Sequence, residues 1–289
     1  MKGIVLAGGS GTRLYPASLA ISKQLIPVYD KPTIYYPISV LMLAGITDIL
    51  VISTPANLHQ FESLLGDGSQ LGLKLGYAVQ EQPNGLAEAF LIGEDHIGDE
   101  SVALILGDNL FHGPGFSSIL REAVAKLDGC VLFSYPVNDP ERYGVGEIDA
   151  LGNLTSIVEK PKYPQSNNAI TGLYFYDNDV VDVAKNIRPS DRGELEITDV
   201  NRHYLAEGKV QVVQLGRGFT WLDTGTPEAL LVASQYVHVM ESRQRVQIAC
   251  LEEIALRMGF IDADACRALG VRLSNSSYGR YIVEVAGNC

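Results

Sequence analysis

The sequence predicts an α/β fold: a mostly parallel sheet flanked by helices, with added antiparallel strands and a helical C-terminal appendage. Three observations predict it. In the first half, short apolar runs such as Ile49-Leu50-Val51-Ile52 and Val102–Leu106 alternate with longer mixed segments. Strands that are apolar on both faces belong to parallel sheets covered by helices on both sides. From about Tyr143 the runs shorten and turn residues such as Asp149-Ala150-Leu151-Gly152-Asn153 separate them, which suits antiparallel strands. From Thr226 onward the chain reads as almost entirely helical.

Taken in order, Lys2–Ala7 reads as a strand. Residues 33–44 read as a helix, with Gly45 suited to end it. Asp48–Ser53 is the next strand, then a helix over 57–65 with Asn57 as its N-cap. A strand over 75–79, a helix over 86–96, the strand Val102–Leu106, a helix over 116–127 and a strand over 130–137 follow. The added strands are 145–148, Leu154–Glu159, 172–176 and Val210–Gln214. The tail holds helices over 227–240, 248–258, 262–268 and 277–286. We divide the chain into a main domain, 1–225, with halves of about 1–137 and 138–225, and an appendage, 226–289. Ligands of such sheets sit beyond the carboxyl ends of the strands. The search therefore narrows to residues 8–13, Thr54, 80–85 and 107–109.

The 289 residues carry 22 basic and 34 acidic side chains, a net charge of −12. That balance argues against coating nucleic acid or anionic lipid, since both need a surplus of Lys and Arg. Hydrophobic residues make up 46% of the chain, enough for a large core. No apolar stretch approaches the roughly 18 residues of a membrane span. The apolar run before Gly8-Gly9 is too short for a signal-peptide core. Cys130, Cys250, Cys266 and Cys289 are scattered without a CxxC pair. The expectation is a cytoplasmic chain with idle thiols.

Chemistry concentrates after the first strand. Leu6-Ala7-Gly8-Gly9-Ser10-Gly11-Thr12-Arg13-Leu14 places three glycines in four positions. Backbone N–H groups exposed this way cradle phosphate. No Gly-Lys-Ser/Thr follows, so it is not a Walker A loop, and Leu14 breaks a dinucleotide fingerprint. Arg13 and Lys23 (in Ser22-Lys23-Gln24-Leu25-Ile26-Pro27) add a bidentate and a point cation, which suits a triphosphate. Asp108 and Asp223 each end an apolar run, where two carboxylates could share a hard cation such as Mg²⁺. Gln24 and Gln80, with the Gly85 backbone, offer donor and acceptor together to a pyrimidine edge. Glu159 and Lys160, ahead of Pro161, are candidates for a sugar hydroxyl and a phosphate. Arg142-Tyr143-Gly144 offers backbone groups beside a ring.

The glycine loop, the Lys23-Gln24-Leu25-Ile26-Pro27 run and the later motifs in order resemble the sugar-1-phosphate nucleotidylyltransferases over the whole chain. Within that family they are most similar to enzymes that use dTTP and glucose 1-phosphate. The resemblance implies a Rossmann-like sheet of the nucleotide-diphospho-sugar transferase type. It implies synthesis of dTDP-glucose with release of pyrophosphate, the first step toward dTDP-rhamnose for a cell-surface polymer. It places nucleotide at Gly8, Gly9, Ser10, Gly11, Thr12, Arg13, Gln24, Gln80, Gly85 and Asp108. It places sugar at Asn109, Tyr143, Gly144, Glu159, Lys160 and Ile170, and Mg²⁺ at Asp108 and Asp223. Arg13, Lys23 and Lys160 carry the catalytic charge. The resemblance also implies a homotetramer inhibited by dTDP-rhamnose at a second site, with Leu43, His112, Gly113, Glu253 and Arg257 as its candidates. For Glu253 and Arg257 the plain alternative is an i,i+4 surface pair. The rival functions are a uridylyltransferase and a silent nucleotide-sugar sensor. The roles of Glu194, Glu196 and Asp199 stay open.

Overall fold

Apolar residues alternate sides along a strand, so a strand apolar at every position must be covered twice. The computed structural model, which describes residues 1–244 and 246–288, meets that demand. In β1 (Lys2–Ala7), Val5 and Ala7 enter the core on one face while Ile4 and Leu6 enter the core on the other. Parallel neighbours surround it: β4 (Asp48–Ser53) on one side, followed by β5 (Lys74–Val79), and β6 (Val102–Leu106) on the other.

The long strand β11 (Asn168–Tyr176) runs antiparallel to β6 and to β8 (Cys130–Pro136). Its first residues meet β9 (Gly144–Ile148), which pairs antiparallel with β10 (Leu154–Glu159). One added strand departs from expectation. β12 (Val210–Gln214) lies parallel to β8, not antiparallel. Helices α6 (Val180–Asn186) and α7 (Ile197–Ala206) carry the chain back before β12 begins. Both strands then start at the same end, where the Cys130 N–H donates to the Lys209 carbonyl at 2.9 Å.

Two small ribbons stand off this sheet. β2 (Pro27–Val28) pairs with β3 (Lys31–Pro32). β7 (Asn109–His112) pairs with β13 (Thr220–Asp223).

The helices show where local signals succeed and where tertiary contacts override them. α1 (Tyr35–Leu43) ends as a Schellman motif: Gly45, at φ +85°, lets the Ile46 N–H reach the Leu41 carbonyl and the Gly45 N–H reach Met42. Thr33 is not helical, because its hydroxyl and N–H both bond the Ile26 carbonyl. α2 (Leu58–Leu65) follows Asn57, whose side chain bonds Thr54 rather than capping the helix. The helix expected over 86–96 is two, α3 (Glu88–Ile92) and α4 (Glu94–Ile97), broken at Gly93. A β-carbon at Gly93 would lie 2.8 Å from Ile4 Cδ1, so the helix crosses β1 only where it lacks one. α5 (Phe116–Ala125) covers the opposite face.

The tail forms α8 (Pro227–Gln244), α9 (Leu251–Arg257), α10 (Ala263–Arg272) and α11 (Ser277–Gly287). Leu251 and Ala255 of α9 belong to the same core as Val5 and Val51. Cys250 and Cys266 are buried with Ile282 in a smaller core, and Cys130 is buried in the sheet. Cys289 lies outside the described residues.

Candidate active site

A cleft of about 380 Å³ opens beyond the carboxyl ends of β1, β5 and β6, within the usual range for a small-molecule site, and Thr54, after β4, does not line it. The glycine loop forms one wall. Gly8, Gly9 and Arg13 line the cleft, whereas Ser10, Gly11 and Thr12 do not. Gly11, at φ +60°, packs against Ser18, whose hydroxyl donates to its carbonyl at 2.7 Å. The loop thereby turns back toward Lys23, which also lines the cleft.

The floor carries the charge. β6 ends at Leu106, directly before Gly107-Asp108. The β7–β13 register sets Asp223 opposite Asn109. Two acids 115 positions apart in sequence are thus brought to one spot by four ladder pairs. Lys23 makes an ion pair with Asp108 Oδ2, and Asn109 Nδ2 donates to Oδ1 at 3.1 Å. Burial pulls the Lys23 pKa down, but the charge and hydrogen bond of Asp108 outweigh it and hold it above its ordinary value. Burial pushes Asp108 up; Lys23 outweighs that and holds it below the usual carboxylate range. Asp223 has no comparable partner. Burial first, and the neighbouring Asp108 charge second, raise it to about 6 against the attraction of Lys23, Arg13 and Arg142. Arg142 lies 3.8 Å from Asp223 Oδ2.

A buried carboxylate and a half-buried one fit a hard divalent cation that also draws oxygen from water and phosphate. No cluster of three or more His, Cys, Asp or Glu that could hold a metal occurs among the described residues. The donor set suits Mg²⁺ rather than a thiolate- or imidazole-seeking metal.

The amides share this cleft with the acids. Gln24 and Gln80 are 1% and 4% exposed and both line the cleft. Gln24 Nε2 donates to the Gly8 carbonyl at 3.1 Å, and Gln80 Nε2 donates to Glu88 at 2.8 Å. Gly85, at φ +116°, presses on the Leu195 backbone, where a β-carbon would meet the carbonyl oxygen at 2.4 Å. The Leu195 N–H reaches the Asn84 carbonyl at 2.6 Å, clamping this loop to the 190–196 segment.

Tyr143, Gly144, Glu159, Lys160, Ile170 and Asn109 also line the cleft. Thr198 donates to Glu159 Oε2 at 2.5 Å, while Lys160 and Arg192 lie 3.4 and 3.5 Å from Oε1. The Lys160 backbone, at φ +40°, donates its N–H to the Tyr143 carbonyl at 2.9 Å. Burial, then the Asp223 charge, push the Tyr143 phenol up to about 12, and its ring tilts against Trp221 at 5.0 Å. Asn109 serves largely as a strut: its oxygen accepts from Trp221 Nε1 at 2.6 Å and from the Gly172 N–H at 3.2 Å.

Sequence reasoning does not single out Arg192, Trp221 and Thr198 in the lining, nor Glu88, which holds Gln80 from outside it. Arg192 grips Glu196 with two nitrogens, the nearer at 2.7 Å. A lone base four residues before Glu196 in an acidic segment was the available signal. That grip also gives the open acids places: Glu196 and Glu194 line the cleft, while Asp199 pairs with Arg202 outside it.

Leu43, His112, Gly113, Glu253 and Arg257 do not line this cleft. Glu253 and Arg257 make the i,i+4 pair at 2.7 Å, and Tyr281 donates to Glu253. His112 Nδ1 meets the Tyr236 hydroxyl at 2.7 Å, joining β7 to α8.

The family model described as nucleotidyl transferase matches residues 2–239. A glucose-1-phosphate thymidylyltransferase of Neisseria gonorrhoeae is 55% identical over 287 residues, covering 99% of this chain and all of that protein. A Bacillus anthracis protein assigned as a glucose-1-phosphate thymidylyltransferase, crystallised with sucrose, is 38% identical at a TM-score of 0.76, covering 82% of this chain and 94% of that one. A UDP-glucose pyrophosphorylase complexed with UDP-glucose is 26% identical at a TM-score of 0.74, with coverage of 82% and 98%. The glycine loop, the paired acids and a sequence match running almost from end to end place the chain in the nucleotidyl transferase family, among the glucose-1-phosphate thymidylyltransferases.

Proposed function

We propose that this chain joins dTTP to glucose 1-phosphate, releasing pyrophosphate and forming dTDP-glucose. One observation supports it above the others. The Lys23–Asp108–Asp223 cluster shares one cleft with amides suited to a base and with Glu159, Lys160 and Tyr143, which suit a sugar phosphate.

The chemistry is in-line attack by the sugar-phosphate oxygen on the α-phosphorus. The nucleophile is already anionic near neutral pH, so no general base is required. The protein supplies position and charge. The glycine-loop N–H groups and Arg13 hold the β- and γ-phosphates and steady the leaving pyrophosphate. Lys23, kept protonated by Asp108, lies at the α-phosphate. Lys160 orients the incoming phosphate while Glu159, fixed by Thr198, holds a sugar hydroxyl. Asp108 and Asp223 would hold Mg²⁺, which, when bound, offsets repulsion between the two anionic substrates.

Release of pyrophosphate tests the reading across dTTP, UTP, dCTP, ATP and GTP with glucose 1-phosphate. The expected result is turnover with dTTP well above the purine nucleotides. Turnover confined to a purine nucleotide would overturn it.

Three further parts belong to the same proposal. The chain works in the cytoplasm; among the described residues no helix is long and apolar enough to cross a membrane. It assembles as a homotetramer, supported by the exposed Leu231, Val232 and Val239 on α8. Glu253 and Arg257, with Leu43, His112 and Gly113, line a second site, for dTDP-rhamnose as end product.

A further inference from the structure

The amide of Gln80 can be oriented in only one way. One end lies 2.8 Å from a Glu88 oxygen and 3.3 Å from the Gly85 carbonyl. A carboxylate and a carbonyl offer no hydrogen, so the end between them must be the NH₂, with both hydrogens committed. The amide oxygen is turned the other way, over the glycine loop, where a β-carbon on Gly8 would come within 2.6 Å of it. Glu88 cannot rotate to release Gln80. It sits in the first turn of α3, and its second oxygen accepts from Asn84 Nδ2 at 2.8 Å.

We propose that Glu88 is a specificity-determining positioning residue: it fixes the Gln80 amide with its oxygen toward the base, so that this position can only accept a hydrogen bond. The inference rests on the reading of the cleft as a pyrimidine-nucleotide site. Thymine and uracil carry an N–H at ring position 3; cytosine carries a lone pair there. Against a locked Gln80 oxygen, cytosine sets two acceptors face to face in a buried site, and neither is satisfied. Gln24 is locked in the complementary sense. Ser22 donates to its oxygen at 2.5 Å and the Gly8 carbonyl takes one amide hydrogen, leaving the other for a ring carbonyl. The pair together describe an acceptor for an N–H at ring position 3 and a donor for a neighbouring carbonyl; thymine and uracil supply both, and cytosine has no N–H at that ring position.

The test is the ratio of kcat/KM for dTTP to that for dCTP, in the wild type and in Glu88→Gln and Glu88→Ala. Glutamine at 88 can accept or donate, and alanine does neither, so in both variants the charged anchor on the Gln80 amide is lost and the Gly85 carbonyl, at 3.3 Å, is left as the weaker hold on its orientation. The dTTP preference is expected to fall about 10-fold or more, because the discrimination lost is that of one buried hydrogen bond. The KM for glucose 1-phosphate should stay unchanged. A merely structural role would lower both nucleotides in parallel and leave the ratio intact; that result overturns the inference in either variant. Wild-type protein that takes dCTP as readily as dTTP would sink the inference while the pyrimidine reading stands. No turnover with any pyrimidine triphosphate would sink both.

Discussion

Asp223 shows how a single residue is held in a state that favours chemistry over stability. Its pKa of about 6 lies above the ordinary carboxylate value because burial and Asp108 disfavour its charge. A raised folded-state pKa means the folded protein binds the extra proton more tightly than the unfolded chain. The associated stability is present below pH about 4 and is lost as pH rises through about 6. At pH 7, without metal, the ionised carboxylate therefore costs on the order of 1–3 kcal/mol. Asp223→Asn should raise the metal-free Tm at pH 7, with the gain over wild type shrinking toward pH 4, and should abolish pyrophosphate release. Calorimetry at both pH values checks the sign; a lower Tm at pH 7 would refute it. Lys23 and Asp108 were legible as residues, but their mutual pairing was not.

Among the elements, the loop from Gln80 to Glu88 and the β7–β13 ribbon do most to assemble the site. The loop depends on Gly85, whose positive φ and contact with the Leu195 backbone leave no room for a side chain. Gly85→Ala should cost roughly 1–3 kcal/mol, since both the backbone conformation and the contact are lost. It should also raise the KM for dTTP more than that for glucose 1-phosphate; urea unfolding and steady-state kinetics measure the two effects. β4, β6, β10 and β12 are legible end to end as Asp48–Ser53, Val102–Leu106, Leu154–Glu159 and Val210–Gln214, because each is a self-contained apolar or alternating run. The helix over 86–96 was misread because its break at Gly93 answers to Ile4 on β1, a contact that no local signal carries. The direction of β12 was misread for a similar reason: strand direction follows from the crossover that precedes it, and the strand's own residues are silent on it.

Across the whole molecule, the tail is bound into the enzyme's first half. Leu251 is 1% exposed and shares the core with Val5 and Ile49. Leu251→Ala should cost about 2–5 kcal/mol, the usual range for emptying such a position. Because that core also supports β1 and its glycine loop, the protein should unfold in a single transition at lower temperature. A separate early transition confined to the tail would show that it folds independently. The net charge of −12 is likewise a property of the whole: it excludes extended polyanions, yet Arg13, Lys23, Lys160, Arg142 and Arg192 all face one cleft.

The sequence by itself determined the α/β architecture, the glycine loop after the first strand and the identity of most cleft residues. Period, apolar runs and glycine spacing are local properties of a chain, and the motifs are short. Only the tertiary structure decided that Asp108 and Asp223 share one spot, that Asn109 is spent on Trp221 and Gly172, and which way Gln80 presents its amide. Each of those depends on partners distant in sequence or on hydrogen-bond polarity. A linear pattern specifies neither until the β7–β13 register and the packing of α3 bring donors and acceptors face to face.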